Sequence, residues 1–99
     1  MKVIISLSDK PNKRYTAVFY DNDKKVKTVH FGYKDKNGYG NTYIDHNDDK
    51  KKAAYIARHR VNENFDDYMS PGSLARYILW EHKTLTQAIS AYKRRFNLE

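Results

Sequence analysis

The sequence predicts an α+β fold: a three-stranded antiparallel β-meander followed by three helices packed on one face of the sheet. Three observations point there. The first third of the chain holds three short runs rich in Val, Ile, Phe, Tyr and Thr, at residues 2–7, 14–20 and 25–31, separated by the turn-forming clusters Asp9-Lys10-Pro11-Asn12 and Asp21-Asn22-Asp23. From about residue 47 the apolar residues change to helical spacing. Aromatic residues make up 14% of the chain, with nine Tyr, which is too many for a disordered basic tail. Ninety-nine residues make a single domain with a modest core. We divide it into the meander (1–32), a glycine-tyrosine loop (33–46) and a helical part (47–99).

The strands follow from the runs themselves. In the third, Val29 and Phe31 fall on one face and Val26, Thr28 and His30 on the other, so its core side is open on pattern alone. Gly32, Gly38 and Gly40 then punctuate Tyr33, Lys34, Lys36 and Tyr39, which reads as a loop. A first helix is expected from an N-cap at Asn47 or Asp48 to about Arg60. At about 100° per residue, Ala53, Ala57 and Val61 share one face, flanked by Ile56 and Ala54, whereas Lys51, Tyr55 and Arg58 share another. The expectation is that the small apolar face packs and the basic-aromatic face stays free. Ser70-Pro71 supplies an N-cap and a proline at the first helical position for a short helix through about Trp80. Thr84 and Gln87 have capping-box spacing, and Leu85, Ala88, Ile89, Tyr92 and Phe96 form the apolar stripe of the last helix. Lys93 and Arg94 point away from that stripe and Arg95 lies at its flank.

Charge narrows the partners. Lys plus Arg total 19 against 12 Asp plus Glu, a net +7, which favours nucleic acid, an anionic membrane surface or an acidic protein. The helices lack the broad apolar face that shallow membrane insertion requires. Val3-Ile4-Ile5 is too short for a signal peptide or a membrane span, so a soluble chain that is not secreted is expected. With no cysteine there is no disulfide and no thiolate metal site.

The string Val29-His30-Phe31-Gly32, then Gly38-Tyr39, Thr42-Tyr43, His46, the basic stretch to Tyr55, Arg58-His59, Glu63-Asn64-Phe65, Pro71-Gly72, Leu79-Trp80 and a closing helix with Phe96 resembles a family of small basic proteins encoded by giant viruses of the nucleocytoplasmic large DNA virus group. The likeness spans roughly residues 26–98 and leaves out the first two strands. It departs from the family pattern at Asn37 to Asn41, which is less regular, and at Phe65, where Trp is more usual. The resemblance implies a viral origin and a place in the virion or the infected host cell, in cytoplasm or nucleus. It brings no catalytic residues with it.

The expected function is therefore that of a non-enzymatic nucleic-acid-binding or genome-associated accessory protein, with DNA ranked ahead of RNA. Lys50, Lys51, Arg58 and Arg60, joined by Lys93, Arg94 and Arg95, would neutralise phosphates, with Tyr55 beside them to stack or hydrogen-bond. Lys34, Lys36 and Tyr39 of the loop form a second binding segment. No motif for reading base edges is present, so contacts should be mainly to the backbone, with little sequence preference. The alternative is a structural virion protein or one that binds another viral or host protein through exposed aromatics or a sheet edge, as monomer or homodimer. His46 beside Asp45, with Asp48, Asp49, His59 and Glu63 nearby, faintly resembles a one-metal nuclease site, but the histidines lie 13 residues apart without a ligand spacing. Asp48 and Asp49 have a simpler duty at the helix start. No catalytic residue, metal or cofactor is expected. His59 and Trp80 are read as packing residues.

Overall fold

The computed structural model describes residues 1–99 apart from Gly38, Tyr39 and Asn62. Strands β1 (Lys2–Leu7), β2 (Lys13–Asp21) and β3 (Lys24–Tyr33) form one antiparallel sheet in the order β1-β2-β3. Asn22 and Asp23 both have positive φ, 50° and 68°, and make the two-residue β2–β3 connection; such a turn matches the strands' own twist. The register sets Val3 beside Phe19, Ile5 beside Ala17 and Tyr15 beside Phe31, so one face gathers the apolar residues of all three strands. The ambiguity in β3 is thereby resolved. Val29 and Phe31 lie opposite Ala17 and Tyr15 and are buried, whereas Val26 is exposed.

The helices cover that face. Helix α1 (Tyr43–His46) is a single turn, α2 spans Asp49–His59, α3 spans Pro71–Leu74 and α4 spans Leu85–Arg95. Helix α3 runs directly into a π-helical segment, Ala75–Leu79. Leu74, Tyr77, Ile78 and Leu79 from this pair, with Ala88 and Tyr92 from α4, close the core over Phe19, Val29 and Phe31. The caps are those the sequence indicates. Ser70 Oγ accepts from the Ser73 N–H at 3.1 Å, and Thr84 Oγ1 accepts from the Gln87 N–H at 3.2 Å. Gly32 has φ +78°, and a Cβ there would stand 2.7 Å from Leu79 Cδ1, so β3 meets the π-helical segment at a point that admits only glycine.

Two expectations require correction. The segment 33–46 is not all loop: β3 continues through Tyr33, and residues 43–46 form α1, a fourth helical element among the described residues. Asp45 Oδ2 accepts from the Thr42 N–H at 2.7 Å, so the Thr42-x-x-Asp45 spacing starts a helix that the surrounding glycines obscured.

The second correction is to the facing of α2. Ala53, Ala54, Ala57 and Val61 are exposed, Val61 to 77%, whereas Tyr55, expected on the free face, is 8% exposed. Its ring lies parallel to Trp80 at 4.3 Å and 4°, with His59 stacked on it at 4.2 Å. An aromatic side chain buries roughly 150–250 Å². At about 25 cal/mol per Å² that outweighs a stripe of alanine methyls, so the helix turns its tyrosine inward.

Candidate nucleic-acid interface

The interface is built on α2, and its start is fixed by charge. Arg14 on β2 reaches across to α1 and donates from both terminal nitrogens to Asp45, at 2.7 and 2.6 Å, in a forked pair. The same guanidinium donates to Thr42 Oγ1 at 3.0 Å. Burial alone would raise the Asp45 carboxyl, but hydrogen bonds from Arg14 and Thr42 outweigh it and hold the pKa below the usual range. Arg14 loses some basicity to burial and more than regains it from Asp45, so the two shifts agree that both partners are charged. One residue beyond the left-handed Asn47, Asp48 caps α2 by accepting from the Lys50 and Lys51 N–H groups at 2.9 and 3.3 Å. Tyr43 donates to Asp49 at 2.5 Å, and Lys52 donates inward to the Glu81 carbonyl at 2.8 Å.

With Lys52 turned inward, the remaining cations of α2 face solvent. Lys50, Lys51, Arg58 and Arg60 are exposed, and among the described residues none of them joins the three ion pairs, Arg14–Asp45, His59–Glu63 and Arg76–Glu81. Lys51 and Arg58 line a groove of about 290 Å³ with Asn41, Ala54 and Trp80. Tyr55 lies behind that groove. Burial, reinforced by the Glu63 charge and opposed by Arg76 and Arg58, pushes its phenol up to about 12, so it is a neutral packing group, not the surface stacking platform expected of it.

Helix α4 adds cations elsewhere. Arg94 is exposed and borders a separate groove with His82, Thr86, Gln87 and Ser90, donating to Ser90 Oγ at 3.2 Å. The Arg95 guanidinium lies 4.4 Å over the Tyr77 ring, and Lys93 is half-buried. The two helices thus present their charges to different grooves on the two sides of the 80–82 segment. In the loop Lys36 is exposed and Lys34 half-buried, while Tyr39 lies outside the described residues.

The residues weighed for a metal site have structural duties. Asp45 pairs with Arg14, Asp48 caps α2, Asp49 accepts from Tyr43, and His59 Nδ1 lies 3.3 Å from Glu63. His46 Nδ1 accepts from the Asp48 N–H at 2.9 Å, and its ring meets Trp80 edge-on at 5.4 Å. Among the described residues no group of three or more His, Cys, Asp or Glu is gathered to hold a metal ion, and no helix is long and apolar enough to cross a membrane.

Residues 3–59, more than half of the chain, match a family of unknown function (DUF5754). The chain belongs to that family. The DUF5754 match takes in the whole sheet, the Arg14–Asp45 pair and the groove wall Lys51, Ala54 and Arg58, and it includes the first two strands that the giant-virus resemblance omits. No curated protein and no solved structure matches the chain.

Sequence reasoning missed Ala54 and Trp80 as lining residues. Positions 51, 54 and 58 stand in line on a helix, a signal that was present. Trp80 lies 22 residues beyond Arg58, and nothing local to either residue announces that they meet.

Proposed function

We propose that this chain is a non-enzymatic nucleic-acid-binding accessory protein that grips phosphates through the outward face of α2, with α4 adding contacts, and that it has little sequence preference. The observation carrying this is that Lys50, Lys51, Arg58 and Arg60 are exposed without an acidic partner among the described residues, two of them in a groove that no carboxylate lines. Cations left unpaired on one rigid rod are suited to displacing the counterions of a polyanion. The resemblance to giant-virus proteins extends the proposal to a genome-associated role in a virion or infected cell, with DNA ahead of RNA.

A mobility-shift titration at rising salt tests it. Four phosphate contacts on duplex DNA give a slope of log affinity on log salt of about −3.6. Replacing Lys50, Lys51, Arg58 and Arg60 by Glu should abolish retention while leaving the circular dichroism spectrum unchanged. Absence of binding to both DNA and RNA at low salt removes the proposal.

The exposed strip Ala53, Ala57 and Val61 favours a second reading, in which α2 docks on another protein and charge steers the encounter. A partner retained by the Glu-substituted chain would support that reading instead.

A further inference from the structure

We infer that the groove between α2 and Trp80 receives an unpaired nucleobase, so that the chain prefers single-stranded nucleic acid to duplex, with Lys51 and Arg58 engaging phosphates on either side of the base. This rests on the phosphate-binding reading and adds to it a substrate form. The indole is braced, by Tyr55 parallel to it at 4.3 Å and by His46 edge-on at 5.4 Å, yet it remains half-exposed and lines the groove. A held aromatic surface loses little freedom on meeting a base, and stacking on aromatic side chains is tolerant of sequence.

The wall of the groove is shaped for the purpose. Ala54 sits between Lys51 and Arg58 on α2, and its single methyl leaves the approach to the indole open. The two cations are seven residues apart, about 10 Å along the helix axis, which leaves room for a base between two backbone contacts. At about 290 Å³ the groove falls just below the roughly 300–1,000 Å³ that encloses a whole small-molecule ligand. One ring system with its phosphates outside fits that size better than a buried nucleotide. A base inside a duplex could enter only after being unpaired and unstacked.

Trp80 is the sole tryptophan of the chain, so its fluorescence reports on this groove alone. The intact chain should be titrated at low salt with an oligothymidylate, with duplex DNA of equal length and with inorganic polyphosphate. Oligothymidylate should quench Trp80 and bind at least about tenfold more tightly than duplex, while duplex and polyphosphate bind without quenching. Ala54→Leu, an exposed substitution by a good helix former, should fill the groove, removing the quench and the single-strand preference but not duplex binding. Equal affinity for single strand and duplex, or a quench that persists in Ala54→Leu, overturns this inference while the phosphate reading stands. No binding of any of the three polyanions overturns both.

Discussion

Helices α2 and α4 have the same length, eleven residues, and both end in basic residues, yet they bury themselves by different rules. In α4 the periodic apolar stripe is the packed face: Ala88 and Tyr92 are buried and Leu85, Ile89 and Phe96 pack against the core. In α2 the periodic small-residue stripe is exposed, and one tyrosine supplies the buried contact. The difference lies in what each helix meets. Helix α4 lies across the sheet and the π-helical segment, where a broad apolar surface rewards a stripe. Helix α2 contacts α1 and the Trp80–Glu81 strand of chain, where a flat indole rewards a single ring. Periodicity identifies the buried face only where the partner surface is broad.

The sharpest way to break this contrast is at the two tyrosines. Tyr92→Ala, at a site 1% exposed, should cost roughly 3–5 kcal/mol in urea unfolding. Tyr55→Ala should cost less, about 1.5–3 kcal/mol, because its contacts are confined to one indole and one imidazole. Equal costs would mean that α2 is anchored by more than this stack.

Acid should separate the two sides of the molecule. Asp45 has its pKa lowered in the fold, so its stabilising contribution is present above the unfolded value of about 3.9 and lost as pH falls through the folded value. Asp45→Asn should therefore cost about 1.5–3 kcal/mol at neutral pH, and its stability curve should converge on that of the parent chain at low pH. Glu81 is also held low: burial raises it, but Arg76 outweighs burial, so the parent keeps a residual acid sensitivity in the same window. A difference that persisted unchanged at pH 2 would show that the Arg14–Asp45 pair is not what Asp45 contributes.

The smallest effect is predicted for Ala53→Gln and Ala57→Gln, each within about 0.5 kcal/mol by thermal melting, since both positions face solvent. A cost of several kcal/mol would restore the packing role that the helical wheel assigns to them.

The meander, its turns and the caps of α2, α3 and α4 were legible because each is written in residues that lie side by side: Asn22-Asp23 for the turn, Asp48, Ser70 and Thr84 for the caps. The core side of β3 was not, since it depends on which residues of β2 stand opposite. The exposed cations of α2 could be read from the sequence, but their groove could not. It needs Trp80 brought back beside Tyr55 by a π-helical segment that no local pattern signalled. The Arg14–Asp45 pair, 31 residues apart in sequence, was hidden for the same reason.

That π-helical segment has one further implication, for how chain length is tolerated here. A π turn amounts to an α-helix carrying an inserted residue. Deleting a single residue between Ala75 and Leu79 would let the run close into ordinary α geometry, rotating whatever follows by about 100°. Trp80 would then swing off Tyr55 and Glu81 would leave the reach of Lys52. Point substitutions on the outer surface of the same segment keep that phase intact, so in this stretch the number of residues is constrained more tightly than their identity.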